Sequence, residues 1–119
     1  MTIFALSSGP GTSGIAVIRI SGPEASFVIK MLTKKSIPKP RVATLRKINY
    51  INTSELIDEG MILWFPGPES YTGEDLAEIH VHGSKTVVEA IHSSISKIKN
   101  CRLAAVSYTH LTLPTKRIV

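Results

Sequence analysis

The chain has 119 residues, enough for one domain that buries roughly two-thirds of its unfolded surface around a single core and too few for a second. A hydrophobic share of 43% beside 19% charged residues is that of a globular protein, and no apolar run approaches the roughly 20 residues that span a bilayer, so a membrane-spanning role is not expected. The formal charge of +5 favours polyanionic partners, while Cys101, the single cysteine, excludes an internal disulfide framework and any multi-cysteine zinc site.

The N-terminal stretch MTIFALSSG has neither a basic leader nor a long apolar run, so the expected compartment is the cytoplasm. Residues 2–6 read as a first strand and GIAVIRI as a second, with Ile15, Val17 and Arg19 on one face and Ala16, Ile18 and Ile20 on the other. SGPE then offers Ser21 as a helix N-cap with Glu24 three residues on, ahead of Ala25, Val28, Ile29 and Leu32 at helical spacing. Lys34, Lys35, Lys39, Arg41, Arg46 and Lys47 follow without an acid among them. The segment reads as a solvated loop and strand edge, with RNA phosphates as the other use of such a stretch. Residues 42–50 and 56–65 read as strands joined by the turn NTSE, and PGPESYTG as a loop. In DLAEIHVH, Glu78, His80 and His82 alternate with Ala77, Ile79 and Val81. Ser84 caps a second helix with the stripe Val88, Ile91, Ile95 and Ile98, and CRLA begins a last strand, with Cys101 as a small buried residue. This order predicts an α+β fold, a mixed β-sheet with helices packed on one face.

Residues 69–83 gather four carboxylates and two histidines, and several readings compete for them. Glu78, His80 and His82 at i, i+2 and i+4 could converge on a metal, line a pocket for an organic ligand, or form a solvated strand face. Ser70, His80 and Asp75 supply the residue types of a hydrolase triad but no nucleophile elbow. GPGTSG at residues 9–14 has the letters GxGxxG, yet a strand follows where a dinucleotide site needs a helix, so it reads as a connection between strands. His92 and His110 lack an acidic partner and read as surface residues.

TIFALSSGPGTSGIAVIRISGP, IDEGMILWFPGPESYTGEDLAEIHVHGSK and CRLA, in this order and spacing, resemble the N-terminal domain of the tRNA-uridine-modifying GTPases, the MnmE/TrmE family. The resemblance covers residues 1 to about 104. It implies a domain over residues 1–105 similar to the folate-binding fold of aminomethyltransferases. Such a domain binds 5-formyltetrahydrofolate or 5,10-methylenetetrahydrofolate and pairs with its copy as a homodimer. It also implies tRNA and a flavin-dependent MnmG as partners, with GTP, Mg and K bound by a later GTPase domain, so that this segment alone is catalytically inactive. Two folate-contacting positions carry over, Arg19 in RISG and Glu78 after TGED; a downstream lysine of the family has no counterpart. A pterin presents a ring N–H and an exocyclic amine side by side, which one carboxylate can accept together. Arg19 offers a rigid planar fork for a carboxylate or carbonyl of the same ligand. Thr72, Gly73 and Glu74 would shape the loop beside the pocket, with His82 and Gly83 at the strand end.

The chain departs from the family at HGS, where relatives read HGG, and at residues 106–119, which have no family counterpart and read as a foreign end outside the core. An RNA-binding or dimerisation module without a small ligand is the competing function.

Overall fold

The computed structural model describes residues 1–7 and 14–104. The elements are β1 (Thr2–Leu6), β2 (Ile15–Ser21), α1 (Ala25–Thr33), β3 (Thr44–Asn49), β4 (Leu56–Phe65), β5 (Leu76–His82), α2 (Lys85–Ser96) and β6 (Cys101–Leu103). The strands form one sheet in the order β3-β4-β5-β2-β1-β6, antiparallel except where β6 runs parallel to β1. This is the mixed α+β arrangement expected.

Alternation along the strands sorts the side chains. Ala16, Ile18 and Ile20 of β2, Ile62 and Trp64 of β4, and Ala77, Ile79 and Val81 of β5 join Val28, Ile29 and Leu32 of α1 and Ile91 and Ile95 of α2 in one core. Both helices therefore pack on the same face of the sheet. The intervening residues, among them Arg19, Met61, Leu63, Glu78 and His80, fall on the other face by the period-two geometry of a strand. No helix among the described residues is long and apolar enough to cross a membrane.

Three sequence expectations are corrected. Ser21 does not cap α1: it is the last residue of β2, and α1 starts at Ala25 after Glu24, which offers no side-chain cap. The donor that Ser21 was expected to satisfy is met from a distant part of the chain, because the fully buried Thr2 accepts the Glu24 backbone N–H at 2.7 Å on its Oγ1. His92 is not a surface residue either. It lies half-buried with its ring 5.3 Å from that of Phe4, and burial pushes its pKa down, the nearby Glu89 charge pulling the other way. The expected strand over 42–50 is shorter, Thr44–Asn49, since Val42 N–H turns back to the Lys39 carbonyl at 3.3 Å. Ser84 does cap α2, accepting from Val87 N–H at 3.3 Å. Cys101 is buried in β6, where desolvation and the charge of Glu24 raise its pKa. Most of the connection at residues 9–14, and all of the tail at 106–119 with His110, lie outside the described residues.

Replacing Thr2 by valine keeps the volume but leaves the part-buried Glu24 N–H without its acceptor. The expected cost is about 1–2 kcal/mol, read as a melting temperature lower by roughly 4–8 °C per kcal/mol. An unchanged melting temperature would mean that Glu24 N–H finds another acceptor.

Candidate ligand-binding site

The antiparallel register of β2 on β5 sets Arg19 directly opposite Glu78 and Val17 opposite His80. From there Arg19 Nε donates to Glu78 Oε2 at 2.9 Å. Glu78 Oε1 lies 2.9 Å from His80 Nε2, and because an ionised carboxylate can only accept, the imidazole is the donor. The Arg19 and Glu78 side chains are 19% and 13% exposed, so the pair sits below the surface with water at one side only. The bond from His80, assisted by the bond and charge of Arg19, holds the Glu78 carboxyl below the usual carboxylate range, against the burial that would raise it. Glu78 is therefore a fixed acceptor. Each of its oxygens accepts one protein bond, and since a carboxylate has about four lone-pair sites, roughly two remain for a ligand.

The loop between β4 and β5 makes the facing wall. The Arg19 guanidinium lies 4.9 Å from the centre of the Tyr71 ring, a cation–π contact that fixes both. Arg19, Glu78, Tyr71, Phe65, Leu76 and Arg41 line a cavity of about 420 Å³, within the range typical of small-molecule pockets. The loop is tied down along its length. Thr72 Oγ1 and Ser21 Oγ are 2.8 Å apart, Ser21 Oγ donates to Glu74 Oε1 at 3.3 Å, Ser70 Oγ donates to the Glu74 carbonyl, and Gly67 N–H donates to Asp75 Oδ1 at 2.9 Å. Gly73, at φ +81°, takes the left-handed turn that a side chain would resist.

The structure brings some expected residues together and separates others. Arg19, Glu78 and His80 form one network, and Thr72 and Glu74 shape the loop beside it, attached through Ser21. His82 leaves the group: its backbone N–H and ring Nδ1 meet Asp58, each at 3.0 Å. Burial would raise the Asp58 pKa, but these bonds hold it below the usual range. Glu78, His80 and His82 thus do not converge, and among the described residues no three metal-ligating side chains do. Ser70, His80 and Asp75 bond to Glu74, Glu78 and Gly67 respectively, so they form no triad.

Sequence reasoning missed Arg41 and Tyr71. Arg41 was one cation in a basic stretch, with nothing local to set it apart from Lys34, Lys35, Lys39 and Lys47, all exposed. It is distinguished by the fold, which carries its guanidinium to the Glu69 carbonyl and to within 5.9 Å of the Phe65 ring centre. Tyr71 sits within the SYTGED block, and an aromatic in a loop beside a paired arginine was a readable signal.

Residues 2–107 match the sequence profile described as GTP-binding protein TrmE N-terminus. The chain belongs to the TrmE N-terminal family. Three relatives illustrate that similarity. The chain is 73% identical over 104 residues to the tRNA modification GTPase MnmE of Pelagibacter ubique, covering 87% of this chain and 24% of that protein. It is 50% identical over 103 residues to the MnmE of Brucella anthropi, covering 87% and 23%. With a mitochondrial 5-taurinomethyluridine tRNA synthase subunit of Danio rerio it shares 46% over 103 residues, covering 87% and 20%. The chain thus spans about a quarter of the length of these relatives. In TrmE N-terminal terms, the matched region includes both strands and the loop that build the pocket, so the site belongs to the shared part of the chain.

Proposed function

We propose that this chain binds a one-carbon tetrahydrofolate, 5-formyl or 5,10-methylene, and mediates homodimerisation within a longer tRNA wobble-uridine modification GTPase. The observation that carries the reading is the Arg19–Glu78 pair, held below the surface beside a 420 Å³ cavity walled by Tyr71, Phe65 and Leu76. The residues fit the group. The free lone pairs of Glu78 suit the adjacent N–H donors of a pterin, the aromatic walls suit its flat ring, and the Arg19 fork suits another polar group of the same ligand. Once bound, the folate supplies the one-carbon unit. The protein's share is to orient the pterin through Glu78, to keep that carboxylate ionised through His80 and Arg19, and to exclude water with the tied-down loop.

Residues 1–105 are the folate-binding unit in this reading, with 106–119 outside it. Catalysis needs partners: tRNA, a flavin-dependent MnmG, and a GTPase domain that binds GTP, Mg and K. The cytoplasm is the compartment the reading takes, and by itself this chain modifies no tRNA. The names of its relatives support the tRNA assignment, and family membership supports the dimer.

Isothermal calorimetry with 5-formyltetrahydrofolate tests the pocket, with tRNA and zinc titrated separately. Saturable binding of one folate per chain is expected. Binding of tRNA with no folate binding at millimolar ligand would favour an interaction module instead. Sedimentation at tens of micromolar is expected to show a dimer, and a folded monomer would overturn that part.

A further inference from the structure

We infer that Arg41 reads the anionic tail of the pocket's ligand, so that the site selects tetrahydrofolates by their glutamyl carboxylates as well as by their pterin. This rests on the folate reading of the pocket and adds a specificity residue to it. Arg41 lies on the loop between α1 and β3, far in sequence from the other lining residues, yet it faces the same cavity as Arg19 and Glu78. Its backbone is fixed by a turn. Arg41 adopts φ 63°, a left-handed conformation that costs a non-glycine residue about 1–2 kcal/mol, and its N–H donates to the Trp64 carbonyl at 2.9 Å.

The charges of the pocket separate into two parts. Deeper in, Glu78 is matched by Arg19 and bonded by His80, leaving little net charge. At the solvent side the exposed Arg41 meets Glu69 through that residue's backbone carbonyl; Glu69 lines the same cavity, yet neither its carboxylate nor any other lies within ion-pairing distance of Arg41 among the described residues. Glu69 uses one N–H of a group that carries five, and Phe65 backs the guanidinium from 5.9 Å, so the fork is oriented but not neutralised. A ligand complementary to both parts has adjacent N–H donors at one end and carboxylates at the other. A planar guanidinium is suited to donate two parallel bonds to such a carboxylate.

The test uses three ligands on the chain as it exists: 5-formyltetrahydrofolate, its triglutamate, and a tetrahydropterin without the aminobenzoylglutamate tail. Affinities are measured by calorimetry, or by NMR shift titration where weak, at low and high salt. For the parent, the two tailed ligands should bind more tightly at low salt, the triglutamate most. Arg41→Gln, which keeps a donor for the Glu69 carbonyl, should weaken the tailed ligands by about tenfold, remove most of their salt dependence and leave the untailed pterin nearly unchanged. Arg41→Lys should restore part of the salt-dependent affinity. Equal weakening of tailed and untailed ligands would reduce Arg41 to a prop for the loop, and no weakening would remove it from the site; either overturns the inference. If the parent binds none of the three, the folate reading itself fails, an outcome distinct from both.

Discussion

Glu78→Ala is expected to weaken 5-formyltetrahydrofolate binding by about tenfold or more while the chain stays folded, because about 1.4 kcal/mol is one decade of affinity and each charge-assisted bond contributes roughly 1.5–3 kcal/mol. The structure adds a second reason for a steep loss. With the carboxylate gone, Arg19 Nε and His80 Nε2 lose the acceptor they share, and the Arg19 cation, only 19% exposed, turns toward the ligand's own donors. Glu89→Ala, on the exposed side of α2, is the matched control and should change little. Calorimetry with circular dichroism decides it. A folded Glu78→Ala variant that binds folate like the parent would remove the strand pair from the pocket.

A larger effect on the fold is expected from a single methyl group. Gly60 is buried in β4 where a Cβ would lie 2.1 Å from the His80 carbonyl oxygen and 3.0 Å from Val81 Cγ1. The first of these is backbone in a paired strand and cannot turn aside. Gly60→Ala must therefore part β4 from β5, at a cost of about 3 kcal/mol or more, equivalent to a melting temperature lower by at least about 10 °C. The displaced strand carries His80 and Glu78, so folate affinity should fall with stability. A melting curve within 2 or 3 °C of the parent, as a rough bound from the same scaling, would show that the sheet can yield here.

Much of this was legible in the chain. Period-two alternation in β2 and β5 placed Arg19 and Glu78 opposite the apolar residues, and the bounds of β4 were read as they stand, since Leu56 follows a polar turn and Pro66 closes the strand. What was not legible depends on distant parts of the chain. Ser21 has the chemistry of an N-cap, but its hydroxyl is drawn to Thr72 and Glu74, while Thr2 takes over the cap from a strand nineteen residues before the serine. Arg41 enters the site because the loop before β3 returns to Trp64. The burial of His92, by contrast, is legible: it falls four residues after Val88, within the stripe that packs on the sheet, and its Nε2 is buried without a partner among the described residues.

The facing of Arg19 and Glu78 across two neighbouring strands also bears on how the sheet assembles. If β2 and β5 paired one residue out of step, every side chain on one strand would change faces relative to the other, and one of these two charges would be driven among Ile18, Ile20 and Ile79. A slip of two residues would keep the faces but part the two charges. The first error buries an ionised group without its counterion, which costs several kcal/mol, whereas the second costs only the weakened pairing. The same two residues that line the cavity thus also weigh against the one-residue slip, because the native register keeps both charges off the apolar face.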